Sequence, residues 1–184
     1  RPEEVVAPTR LAALLGAEVM IATNATGSVD PEIAPGSLVV ITDHINLIGD
    51  NPLIGANWDE LGPRFPDMSE PYDREFVRLA EDIALDEKIR LRKGVFVGVA
   101  GPNLETAAEY RFLTTIGADV VSMSMVAENI VAIHGGMKVA GFAVVTDMCL
   151  PDALKPASHE EILKVAAGAE PKLTQLVIRL IKEM

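Results

Sequence analysis

The chain has one cysteine, Cys149, so no disulfide can form within it, and a reducing, cytoplasmic setting is the simplest expectation. Histidine is scarce too. His44, His134 and His159 stand far apart without paired ligand spacing, so no metal centre is expected. Long apolar runs are missing: Val139 to Val145, near the C-terminus, is the size of a strand and too short to span a membrane. Basic residues are outnumbered, 16 Lys and Arg against 27 Asp and Glu, for a net charge of −11. That balance argues against nucleic acid or anionic lipid as a partner, because both need a basic face. A phosphate ligand would have to be held locally, by backbone N–H groups and helix N-termini. No Gly-x-Gly-x-x-Gly follows a predicted strand, which counts against a dinucleotide-dependent oxidoreductase. The start, Arg1-Pro2-Glu3-Glu4, lacks the basic and apolar regions of a signal peptide. Since it is not Met, the natural start is expected upstream.

What is present is enough for a core. At 184 residues and 49% hydrophobic content the chain fits one domain, spanning residues 1–184, with no repeat, low-complexity tract or linker. Short Val- and Ile-rich runs alternate with segments of helical period. This predicts an α/β fold with a mixed, largely parallel central sheet flanked by helices. Strands are expected near 18–23, 38–43, 94–100, 119–123 and 138–146, and helices over 3–15, 71–90, 105–116, 124–134 and 158–183. Gly16, Gly117 and Gly135 lie just past three of these helices, where a residue able to take positive φ closes the last turn. Pro8 is expected to kink or delay the first helix. The proline- and glycine-rich stretch from Asn46 to Pro71, with Trp58 and Phe65, is read as an ordered loop with a functional or interface role.

Polar residues cluster just after predicted strand ends: Asn24-Ala25-Thr26-Gly27, Asn103-Leu104-Glu105, Ser122-Met123-Ser124 and Thr146-Asp147. Crevices at those ends are where open α/β sheets bind ligands, so four clusters at one edge predict one site. Glu105 poses the question most sharply. It either sits in a first helical turn, where its charge suits the dipole, or contacts a ligand.

The stretches "TNATGSVDPEIAPGSLVVITDHIN", "NPLIGAN", "RFPDMSEPYD", "GPNLETAAEYRFLTTIGADVVSMS" and "SHEEIL" together resemble the trimeric purine nucleoside phosphorylases of the nucleoside phosphorylase superfamily, over nearly the whole chain and in order. That resemblance implies a nucleoside phosphorylase-like fold. It also implies phosphate-dependent cleavage of the N-glycosidic bond of purine (deoxy)ribonucleosides, giving base and pentose 1-phosphate, as in purine salvage. Inorganic phosphate would be the co-substrate, with no metal or organic cofactor. The resemblance further implies that Glu105 hydrogen-bonds the purine edge, and that Ala25, beside Asn24, offers a backbone N–H to phosphate while Ser124 offers a hydroxyl. Met123 would pack under the ribose, His159 would approach the 5′-hydroxyl, and Leu104 would stand against the base where the family often has Phe. Phe65 would cross to a neighbouring subunit's sugar, making a homotrimer with shared sites.

Each assignment has a plainer rival. Met123 can be core, Ser124 an N-cap, His159 an ordinary first-turn residue, and Asn24 with Gly27 a simple turn. At the residue after Thr146, family members that prefer 6-oxopurines typically carry Asn; here it is Asp147. A protonated Asp147 would serve as general acid at N7. Asp also resembles the methylthioadenosine phosphorylases, which act on 6-aminopurines. The expected substrates are inosine and guanosine, with the 6-aminopurine activity as the alternative. The family's glycine-rich phosphate loop and its upstream Arg and His fall before Arg1, so this chain alone is expected to be catalytically weak or dead. A nucleoside-binding domain without chemistry is the rival from another class.

Overall fold

The computed structural model describes residues 2–184. Five strands, β1 (Val19–Ser28), β2 (Leu38–Leu47), β3 (Leu91–Val99), β4 (Val120–Ser122) and β5 (Lys138–Met148), close into a barrel in the order β1-β4-β3-β2-β5. The pairs β1/β5, β2/β3 and β3/β4 are parallel, while β1/β4 and β2/β5 are antiparallel. The sheet is therefore mixed and largely parallel, as expected, but it is closed rather than open. Six helices surround it: α1 (Pro2–Val5), α2 (Ala7–Leu14), α3 (Arg74–Asp86), α4 (Ala107–Thr115), α5 (Val126–His134) and α6 (His159–Glu183).

β5 and the first half of β2 are buried on two sides, which is why they read as continuous apolar runs rather than clean alternations. Side chains still alternate in direction. Val39 and Ile41 of β2 join Val139, Ala143 and Val145 of β5 against Val126 and Ile130 of α5. Their neighbours Leu38 and Val40, with Ala140, Phe142 and Val144, pack against α3 and the Leu176 and Leu180 end of α6. A third cluster joins Val97 of β3 and Val121 of β4 to Tyr110 and Leu113 of α4, with Val29 and Cys149.

Several boundaries differ from expectation for identifiable reasons. The first helix breaks at Val6, and Pro8 falls in the opening turn of α2, where a missing N–H costs nothing. α3 starts later than predicted because Asp73 caps it, accepting from the N–H groups of Glu75 at 2.9 Å and Phe76 at 3.1 Å. Burial opposes ionisation of that carboxyl, but Lys138 and the two backbone donors outweigh it and hold it below the usual range. α3 ends before Lys88, whose φ is 55°. After α5 it is Gly136, at φ 79°, that takes the left-handed conformation, while Gly135 caps the helix at φ −81°. β1 runs on through Asn24-Ala25-Thr26-Gly27 to Ser28, so those residues form a strand and not a turn; their parallel pairing with β5 holds them extended.

The segment between β2 and α3 is ordered, but not by its aromatics: Trp58 is 64% and Phe65 86% exposed. Hydrogen bonds hold it instead. Arg64 Nη1 donates to Leu53 O at 2.8 Å, Asn57 Nδ2 to Gly62 O at 3.0 Å, and Arg10 Nη2 to Pro52 O at 3.0 Å. Buried Asn129 of α5 donates to Pro71 O at 2.6 Å and pins its far end.

Candidate active site

The largest cavity, about 1130 Å³, opens where the end of β5 meets the loop into α6. Leu104, Glu105, Thr146 and Asp147 all line it, together with Tyr110 and the Ser158 to Val165 side of α6. Four residues proposed from sequence thus converge. Glu105 precedes Thr106, the N-cap of α4; the Thr106 hydroxyl accepts from Glu109 N, and the Glu109 carboxylate accepts from Thr106 N at 2.7 Å. This reciprocal capping box serves the helix terminus. Glu105 stands one residue before the N-cap, outside the first helical turn, and lines the cavity.

Asp147 is held from two sides. Thr146 Oγ1 lies 2.8 Å from Asp147 Oδ1 and also 3.2 Å from Thr26 O, while Cys149 Sγ lies 3.3 Å from Asp147 Oδ2. The arrangement stems from the β1/β5 pairing, which slips by one residue between Thr26 and Gly27, setting Gly27 opposite Asp147. A bulge of this kind leaves a residue unpaired and re-aims neighbouring side chains. Here Thr146 is that extra residue.

Met123 and Ser124 line a second cavity, of about 370 Å³, with Asn46, Ile48 and Glu128. The expectation of one pocket holding every cluster is corrected: there are two groups of residues. The reason is topological. β1 lies between β4 and β5, so residues leaving β4 and those ending β5 emerge on opposite sides of it. Asn24 belongs to the second group, its Nδ2 reaching Ser124 Oγ at 3.4 Å. Ala25 is exposed on β1 between them. The loop before α4 spans the two, because Gly101, at φ 62°, packs so closely on Met123 that a Cβ there would lie 2.2 Å from its Sδ.

The rivals sort accordingly. Met123 is 36% exposed and so is not core. Ser124 does not cap α5, whose N-cap is Met125 at φ 70° with no side-chain bond. His159, by contrast, is exposed in the first turn of α6, and the cavity is lined by Ser158, Glu161 and Ile162 instead. Helical geometry explains it: Glu161 and Val165, four residues apart, share a face, and His159, two residues before Glu161, points away from it. Phe65 lies apart from both groups, beside His44 and Met68 in a shallow recess, with the Arg64 guanidinium 5.5 Å from its ring centre.

One residue lining the larger cavity and one beside Asp147 escaped the sequence reading. Tyr110, one turn into α4, and Cys149, just past β5, are both almost fully buried. Burial pushes the Cys149 thiol up to about 12, with Asp147 and Glu105 adding to the rise against an opposing contribution from Tyr110. The Tyr110 hydroxyl is raised by burial first, then by Cys149 and Glu105. Among the described residues no cluster of His, Cys, Asp and Glu is suited to a metal ion, and no helix is long and apolar enough to cross a membrane.

A mixed barrel wrapped by helices, with two carboxylates meeting in a cavity at the end of β5, matches a known class. Residues 2–182 match the sequence pattern of the Phosphorylase superfamily. The chain is 45% identical over 181 residues to purine nucleoside phosphorylase 1 of Bacillus subtilis, covering 98% of this chain and 67% of that protein. To the purine nucleoside phosphorylase of Bos taurus it is 42% identical, covering 95% and 63%. The solved purine nucleoside phosphorylase of Schistosoma mansoni in complex with inosine superposes with a TM-score of 0.95 at 34% identity, over 100% of this chain and 67% of that one. The same organism's enzyme in complex with adenosine superposes at 0.90 and 35%, over 96% and 66%. The chain belongs to the purine nucleoside phosphorylase family, and it spans about two thirds of the length of these relatives.

Proposed function

We propose that this chain contributes the base- and sugar-facing part of a phosphorolytic site that cleaves purine (deoxy)ribonucleosides, chiefly inosine and guanosine, with inorganic phosphate. The observation that carries it is the meeting of Glu105 and Asp147 in one cavity. As the C1′–N9 bond stretches, the sugar becomes cation-like and the departing purine gains negative charge. Groups aimed at that developing charge supply the largest catalytic contribution. Glu105 accepts from the purine N1–H, and from a 2-amino group where one exists. Asp147, when it carries a proton, delivers it to N7, so the electron pair of the broken bond ends on a neutral base. Phosphate, held in line against C1′, bonds to the sugar as the base leaves. The Asn24 and Ser124 group is the candidate for the phosphate side, Met123 for the sugar. Phe65, exposed on an ordered loop, is the candidate contact to a neighbouring copy's sugar in a homotrimer. A cytoplasmic role in purine salvage goes with this reading, as does the absence of any cofactor besides phosphate.

One observation favours a second reading. Asp147 Oδ2 faces the Cys149 thiol at 3.3 Å, and Oδ1 faces the Thr146 hydroxyl at 2.8 Å, whose one proton also has Thr26 O in reach. An ionised carboxylate so placed presents acceptor capacity to the cavity, which suits the exocyclic amino group of a 6-aminopurine. Phosphate-dependent turnover of inosine, guanosine, adenosine and methylthioadenosine separates the two. Release of hypoxanthine and guanine as the faster reactions supports the first, and exclusive use of methylthioadenosine overturns it.

A further inference from the structure

We propose that Cys149 and Tyr110 are positioning residues for base selection, linking the Asp147 carboxylate to the Glu105 carboxylate so that each faces the purine edge it reads. The proposal rests on the purine reading given above, in the form in which the Asp147 carboxylate accepts from a 6-amino group, and extends it to two residues beside the reading carboxylates.

Glu105, Tyr110 and Asp147 line the cavity, and Cys149 stands beside Asp147. Cys149 is 2% exposed and stays a protonated thiol at neutral pH, so its one proton is available to Asp147 Oδ2, 3.3 Å away. Tyr110 is 3% exposed and lines the same cavity as Glu105 and Asp147. Its hydroxyl stands within electrostatic reach of both the Cys149 thiol and the Glu105 carboxylate. A phenol placed between a thiol and a carboxylate orients the carboxylate, because the ionised partner is the stronger acceptor.

The thiol has little freedom. Cys149 N donates to Ser28 O at 2.8 Å, fixing its backbone to β1 just past the register slip. Gly27 leaves room for it, since a Cβ there would stand 2.3 Å from Sγ. Buried partners whose own positions are locked are what hold a reading group to the tolerance recognition needs. The plain alternative is that Cys149 and Tyr110 merely fill the third hydrophobic cluster, with Val29 and Leu113.

Packing and positioning predict different measurements. Hypoxanthine and adenine are titrated calorimetrically into the full chain and into Cys149→Ala, Cys149→Ser and Tyr110→Phe. Positioning predicts shifts in opposite directions. Cys149→Ala weakens adenine relative to hypoxanthine by about tenfold, since it loosens Asp147, and Cys149→Ser, which keeps a donor, restores the ratio. Tyr110→Phe, which loosens Glu105, weakens hypoxanthine relative to adenine by a similar factor. If Cys149→Ala does not fold, Cys149→Val fills the sulfur's space without a donor and gives the same readout. Equal weakening of both bases, or Cys149→Ser behaving like Cys149→Ala, overturns the proposal while leaving the purine reading intact. Binding of neither base by the unsubstituted chain overturns that reading, and the proposal with it.

Discussion

Replacing Gly27 by Ala tests whether the bulge is packed to its limit. Gly27 is not among the residues with positive φ, so alanine suits its backbone and any cost is steric. The new Cβ would lie 2.3 Å from Cys149 Sγ, while Asp147 Oδ2 at 3.4 Å and Val121 Cγ1 at 3.5 Å remain ordinary contacts. One atom therefore carries the clash. The sulfur can retreat only by rotating away from Asp147 or by pressing on its apolar neighbours Val29, Val97 and Leu113. Overpacking of this sort costs roughly 1 to 3 kcal/mol. For a chain of this size that corresponds to a fall in Tm of about 2 to 12 °C. Cys149→Ala removes the clashing atom. The double variant should thus be more stable than the sum of the two single effects predicts, by at least about 1 kcal/mol in a double-mutant cycle of urea unfolding midpoints. Strict additivity, or a Gly27→Ala protein as stable as its parent, would refute the packing argument.

Asp147→Asn replaces a carboxyl group with an amide, which donates to N7 whatever the pH. It should shift kcat/KM toward inosine over adenosine by roughly tenfold to a hundredfold, and an unchanged ratio in a nucleoside panel counts against Asp147 as a reader of the base. Acid should destabilise the fold near neutrality. Burial, only partly offset by Asp43, keeps His44 neutral below its ordinary value, and burial with the Arg10 charge does the same for His134. The unfolded chain protonates both near pH 6.5, so stability is full above that pH and falls below it, by up to about 1.4 kcal/mol per pH unit for each ring. Urea midpoints at pH 7.5, 6.5 and 5.5 check this, and a flat profile contradicts it. Asp73→Ala removes the cap of α3 and should cost about 1 kcal/mol without changing base preference; a loss of preference would mean that α3 is coupled to the cavity.

The strands were readable because each carries its own Val and Ile run, and a strand is a local property. Closure was not. The antiparallel seams join Gly27 to Val121 and Leu38 to Val144, residues about a hundred positions apart, and nothing in either neighbourhood signals the other. The same gap explains the division of the site. Four clusters at strand ends look equivalent in one dimension, but whether they share a pocket depends on which strand lies between them. Asn24 to Gly27 read as a turn because small polar residues favour turns; the pairing with β5 overrides that preference. Glu105 could have been assigned from sequence, since Thr106 and Glu109 spell a capping box that frees it. Cys149 and Tyr110 carried no such mark, because only the fold brings the end of β5 and the start of α4 into one buried cluster.

Every strand in the barrel has a neighbour on both sides, and this governs how copies of the chain can meet. Closure at the short β4 seam covers Gly27 and Ser28 of β1 and Phe96 to Gly98 of β3, which shortens the backbone open to strand addition. Side chains offer another route, above all the ordered loop that carries Trp58 and Phe65 outward. Such a contact can form and dissolve without disturbing the hydrogen-bonded ring that shapes the cavities.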